Sequence, residues 1–129
     1  MRLYLIRHAE AAPGDPDDLR PLTPTGREVA RGLGQELAGE GIEVVLSSPL
    51  LRARETAELV AAGCGAPTEA DERLAPGARL DDLRAAVVGR GEAVAVVGHQ
   101  PDCSEIALAL TGSDPGFRAG GLAKLDLPA

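Results

Sequence analysis

Two rhythms alternate along the chain. Leu3–Ile6 is an unbroken apolar run of strand length, and Val44–Leu46 and Ala93–Val97 repeat it. Between these runs, apolar positions recur every three or four residues, the spacing of a helix that buries one side. Residues 24–39 place Val29, Ala30, Leu33 and Leu37 on one stripe, with Thr23 as the N-cap and Pro24 in the first turn. A second helix is predicted from Ser48 and Pro49, with Leu50, Ala53, Ala57, Val60 and Ala61 toward the core. A shorter one is expected over residues 81–88. A fourth begins at Pro101, with Cys103, Ile106, Ala107 and Leu110 inward and Gly112 placed to end it. Residues 122–127 read as a last strand, and the Pro- and Gly-rich stretches 11–26, 63–79 and 112–121 as loops. Strands apolar on both faces, separated by helices, predict an α/β three-layer sandwich with a mostly parallel central sheet. A chain of 129 residues suits a single domain spanning 1–129.

Composition narrows the picture. Aromatic residues are only 2%, so the core has to be built from Leu, Val, Ile and Ala. A formal charge of -7 argues against nucleic acid or an anionic membrane as the main partner. The chain has no long apolar run and no signal-peptide pattern, so a cytoplasmic location is expected. Cys64 and Cys103 lack metal-ligand spacing and read as reduced, small apolar side chains. Lys124 is the single lysine among 13 basic residues, so an arginine here gains meaning only from its position.

Position does single some out. In open α/β sheets ligands sit beyond the carboxyl ends of the strands. The first strand runs into Arg7 and His8, the second into Ser47, Ser48 and Pro49 with Arg52 just beyond, the third into Gly98, His99 and Gln100. If these strands are parallel, both histidines and two arginines meet at one edge, beside helix amino termini that favour anions. That combination suits a phosphoryl dianion. Blander readings apply nearby. Arg54 is expected to pair with Glu58 on the helix surface; the same reading, pairing with Glu55, is set aside for Arg52 because of its first-turn position. Arg20 fits a pocket rim and a loop cap equally well. Asp15, Asp17 and Asp18 read as a solvated loop face, and Ser47 and Ser48 as helix caps. A metal site from His8, His99 and a carboxylate is weak without an HxH or HxxxH pair, so neither metal nor other cofactor is expected.

The segments RHAE, SSPLLRARETA and VVGHQP, in this order, resemble the histidine phosphatase superfamily, also called phosphoglycerate-mutase-like. With RPLTPTG and the short length, the chain is most similar to small bacterial phosphohistidine phosphatases of the SixA type. The resemblance implies that His8 is the phosphorylated histidine, with Arg7, Arg52 and His99 completing a phosphate pocket and Arg20 at its rim. It implies metal-independent hydrolysis of a phosphorylated protein bearing phosphohistidine, or of a small phosphate ester; a degenerate, non-catalytic phosphate binder is the alternative of another class. A bound dianion is expected to draw His99 toward its protonated form. Two departures stand out. Ala9 follows the histidine where the family usually has glycine, and Pro76 falls where larger members carry a glutamate as general acid. Glu72, Asp102, Asp18 and Glu10 are candidate substitutes, with no spacing that selects one.

Overall fold

The computed structural model describes residues 1–128. Among these residues there are five strands: β1 (Arg2–Arg7), β2 (Val44–Ser47), β3 (Thr68–Ala70), β4 (Ala93–Gly98) and β5 (Leu122–Asp126). Four α-helices join them: α1 (Pro24–Glu36), α2 (Leu51–Cys64), α3 (Leu80–Val87) and α4 (Asp102–Thr111). Single 3-10 turns occur at Asp17–Leu19 and Glu72–Leu74. The strands form one sheet in the order β3-β2-β4-β1-β5. The first four run parallel and β5 runs antiparallel to β1, so the expected mostly parallel sandwich is the one observed.

The continuous apolar strands are explained by what covers each face. Leu3, Leu5, Leu46, Val94 and Val96 pack against Leu83, Val87 and Ile106 of α3 and α4. The alternate residues Tyr4, Ile6, Val45, Ala95 and Val97 pack against Leu33, Ala53, Ala57 and Val60 of α1 and α2. With neither face left to water, polar residues have no place in the middle strands. Helices α1 and α2 cross at nearly bare backbone: a Cβ added at Gly34 would lie 2.8 Å from the Leu59 carbonyl oxygen, and one at Gly63 only 2.4 Å from the Gly34 carbonyl carbon.

Thr23 caps α1 as expected, its hydroxyl accepting the Gly26 N–H at 2.9 Å, and Gly112 ends α4 in the left-handed conformation. Other boundaries differ. Helix α1 stops at Glu36, with Leu37 as its cap, and Val29 is 41% exposed rather than in the core. Helix α2 starts at Leu51, later than the Ser48–Pro49 pair. The stretch 63–79 is not all loop, because it holds β3 and a 3-10 turn. All three residues of that edge strand are exposed, so no apolar pattern marked it.

Candidate active site

Register brings the strand ends together. Arg7 pairs with Gly98 and Ser47 with Val97. One residue further, the His8 N–H donates to the Gly98 carbonyl at 2.9 Å and the Ser48 N–H to the Val97 carbonyl at 3.0 Å. The two histidine rings consequently stand 5.3 Å apart, inclined at 59°. His8 is held on its other side by β5's approach, where the Gly120 N–H donates to the His8 carbonyl at 3.0 Å.

Each ring has one fixed partner. His8 Nδ1 lies 2.7 Å from the Ala9 carbonyl oxygen. A carbonyl only accepts, so the neutral ring carries its hydrogen on Nδ1 and keeps the Nε2 lone pair. His99, only 4% exposed, places Nε2 2.7 Å from the Ser48 hydroxyl, which also accepts the Leu50 N–H at 3.2 Å. Ser48 thus holds a histidine as well as the entry to α2; the sequence suggested only a cap, and the actual N-cap residue is Leu50.

The arginines reach the same place. Arg7 donates to the Phe117 carbonyl at 3.0 Å, while its Nε is buried without a hydrogen-bond partner. Arg52, 9% exposed, donates to the Asp17 carbonyl at 2.9 Å and to the Asp17 carboxylate at 3.2 Å. Two of its five N–H groups are thereby engaged and three remain. Its rejected partner Glu55 instead pairs with Arg27 at 2.9 Å and accepts the Leu22 N–H. Arg54 folds back onto the Pro49 carbonyl at 2.9 Å and does not pair with Glu58 as expected. Arg20 donates to the Ala12 carbonyl at 2.8 Å and to the Asp17 carboxylate at 3.0 Å, so it ties the loop together, one of the two readings its position allowed. Asp17 lies on a solvated face as expected, 67% exposed, but it also carries contacts that no spacing announced. It lies between Arg20 and Arg52, and its hydrogen bond to Arg20, followed by the charge of Arg52, holds its carboxyl below the usual range.

The RPLTPTG stretch closes the site from the side of α1. Ala11 and Leu22 form an isolated antiparallel bridge, and the Thr23 N–H donates to the Glu10 carbonyl at 3.0 Å. A Cβ on Gly26 would sit 2.2 Å from that same carbonyl oxygen, so this approach requires glycine.

Electrostatics keeps both rings neutral. Burial is the main cause lowering the His8 pKa; the Ala9 carbonyl opposes it, and Arg52, Arg7 and Arg20 add to it. Burial, then His8 and Arg52, push His99 down to about 4, with Asp17 partly opposing. A protonated His99 is thus not what the protein groups themselves favour. A proton there has to come with an anion that offsets the arginines.

The model of the histidine phosphatase superfamily (branch 1) matches residues 3–76. The chain belongs to that superfamily. An uncharacterized protein of Picosynechococcus is 39% identical over 120 residues, covering 85% of this chain and 73% of that one. A probable phosphoglycerate mutase of Serratia proteamaculans is 36% identical over 81 residues, and there this chain spans only 37% of the relative's length. The solved structure of the protein histidine phosphatase SixA complexed with tungstate superimposes with a TM-score of 0.87 at 30% identity, covering 98% of this chain and 88% of that one. The fold is that of SixA-type members of the histidine phosphatase superfamily.

The two departures from the superfamily pattern now have surroundings. Ala9 is fully buried, its methyl group against Leu22 and Ala30, and no non-glycine residue among those described has a positive φ; alanine fits there without strain. Of the substitute acids, Asp102 is 7% exposed and accepts the Gly77 N–H at 2.8 Å, Glu10 accepts from the Thr23 hydroxyl at 2.7 Å, and Glu72 and Asp18 are exposed. Thr56 was not singled out by the sequence; it is buried, and its hydroxyl accepts the Ala9 N–H at 3.1 Å.

Proposed function

We propose that this protein is a metal-independent phosphohistidine phosphatase that works through a covalent phosphohistidine on His8. The observation that carries the reading is the pair of rings 5.3 Å apart at the sheet edge, with His8 Nδ1 committed to the Ala9 carbonyl. The Nε2 lone pair attacks phosphorus, the bond from phosphorus to the substrate's imidazole nitrogen breaks, and that ring takes a proton from solvent. Water then attacks the phosphoenzyme, the bond to Nε2 breaks, and phosphate leaves. Arg7 and Arg52 hold the equatorial oxygens, Arg7 with an Nε that no protein group uses and Arg52 with its three remaining N–H groups. His99 takes a proton as the dianion arrives and becomes a further donor. Arg20 stands at the rim. The arginines supply the positive charge that a metal gives other phosphatases.

The substrate class follows from the acids. Asp102 and Glu10 are occupied, Glu72 and Asp18 lie in solvent, and proline stands at position 76. An alkoxide needs a proton as it departs, worth roughly 100- to 10,000-fold from a well-placed acid, whereas imidazole and aryl oxide leave more readily. A phosphorylated protein carrying phosphohistidine therefore fits the site better than an alkyl phosphate ester. The test is hydrolysis of phosphohistidine protein and para-nitrophenyl phosphate beside phosphoserine and glycerol phosphate, with and without EDTA. Phosphate release from the first two, unaffected by EDTA and slower by orders of magnitude on the alkyl esters, is the expected result. Loss of activity in EDTA, restored by a divalent metal, would overturn the mechanism, and equal rates on alkyl esters would overturn the substrate assignment.

A further inference from the structure

We propose that Thr56 is a positioning residue that fixes the tautomer and aim of His8; the inference rests on the function proposed above and deepens it. Thr56 is fully buried. Its hydroxyl hydrogen goes to the Arg52 carbonyl one helical turn back, at 2.8 Å. With that hydrogen committed, the oxygen can only accept, and it accepts the Ala9 N–H at 3.1 Å. Ala9 in turn offers its carbonyl to His8 Nδ1 at 2.7 Å. The direction of every link is determined, because carbonyls only accept and N–H groups only donate. A single hydroxyl in α2 thereby anchors the turn that places the hydrogen on Nδ1 and leaves the lone pair on Nε2. The same hydroxyl is tied to the backbone of Arg52, so nucleophile and phosphate-binding cation share one anchor.

A threonine bonded back to its own helix is common and by itself means little. What distinguishes this one is the second bond, across to a buried N–H that has no place in a helix or strand ladder. Valine has nearly the shape of threonine without the acceptor. In Thr56→Val the Ala9 N–H is left buried and unpaired, so the turn must rotate to satisfy it. The Ala9 carbonyl then moves off Nδ1. That carbonyl also raises the His8 pKa, so its loss shifts the ring further down.

The deciding measurement is nitrogen-15 NMR of the His8 ring at pH 8 in wild type, Thr56→Val and Thr56→Ser, together with steady-state kinetics. Wild type is expected to hold the hydrogen on Nδ1. Thr56→Val should move a large share of it to Nε2, lower the His8 pKa, and reduce kcat by about 10- to 100-fold with less change in KM, the scale for a misplaced reacting group. Thr56→Ser should restore both. A valine variant with the wild-type tautomer and kcat, altered only in melting temperature, would overturn the proposal. Should valine not be accommodated, Thr56→Ala removes the same acceptor and is read in the same way. If the wild-type protein hydrolyses no phosphohistidine, the proposed function falls, and the tautomer comparison still decides the role of Thr56.

Discussion

The middle of the sheet and its carboxyl edge are built on opposite principles. In the middle, Leu, Val, Ile and Ala dominate both faces, and their side chains are placed by volume rather than by the direction of a bond. At the edge lie all the buried polar side chains of the described residues: Ser47, Ser48, Arg52, Thr56, His99 and Asp102. Burying such groups is unfavourable unless each finds a partner, so the edge is organised by hydrogen-bond direction rather than by volume. Stability therefore resides mainly in the middle and chemistry at the edge, and a substitution in either should leave the other largely intact.

The largest effect is expected at the edge. His8→Ala should remove turnover by on the order of 10,000-fold or more and abolish labelling of the protein by phosphohistidine substrate, while melting close to wild type. Rapid quenching without acid, followed by detection of the phosphoenzyme, checks it; label appearing on His99 instead would reverse the assignment of the two rings. In the middle the expectation inverts. Leu46→Ala, at a position 1% exposed, should cost about 2–5 kcal/mol in denaturant unfolding while kcat per folded molecule stays near wild type.

The third test joins the two currencies. His99 titrates near 4 in the folded protein and near 6.5 unfolded, so between these values the unfolded chain binds more protons. The neutral buried ring costs nothing above about pH 6.5; as pH falls toward 4, stability is lost, by on the order of 3 kcal/mol. Unfolding curves at pH 7 and pH 4.5 should show this loss in wild type and a visibly smaller one in His99→Asn. Equal pH dependence in both would mean that the ring is not buried neutral. The smallest effect is expected at Asp17, an exposed carboxylate paired with Arg52 and Arg20, which under the proposed function would compete with phosphate for them. Asp17→Asn should tighten inhibition by inorganic phosphate by up to about fivefold, the range of exposed ion pairs, measured as an inhibition constant at low salt. Weaker inhibition would show that Asp17 orients Arg52 for the ligand rather than competing for it.

The same contrast governs what could be read in advance. The middle strands were legible because apolar runs are a local signal, and their parallel arrangement then carried Arg7, His8, Arg52 and His99 to one edge. What escaped was non-local bond direction. The contact between Asp17 and Arg52 spans 35 positions and an irregular loop, so no periodicity announces it. Ser48 looked like a cap because serine before a helix usually is one, and only the placement of β4 beside β2 puts His99 against it. Thr56 sat unremarked in an apolar stripe whose neighbours Ala53, Ala57 and Val60 are indeed core. Val29 was assigned inward by helical spacing, but the side of α1 it occupies is not fully covered.

The bare crossing of α1 and α2 at Gly34 and Gly63 has a consequence for how this protein can change over generations. Neither position accepts even a methyl group without separating the two helices, and each helix carries part of the wall around His8: α1 through Thr23 and Gly26 against Glu10, α2 through Arg52 and Thr56. A one-carbon substitution at that seam therefore reaches the loop beside His8 without changing any of the residues proposed to bind phosphate. In a library selected for new substrates, variants with altered preference should accumulate along this seam as well as around the pocket, and lineages that keep the ancestral preference should keep both glycines.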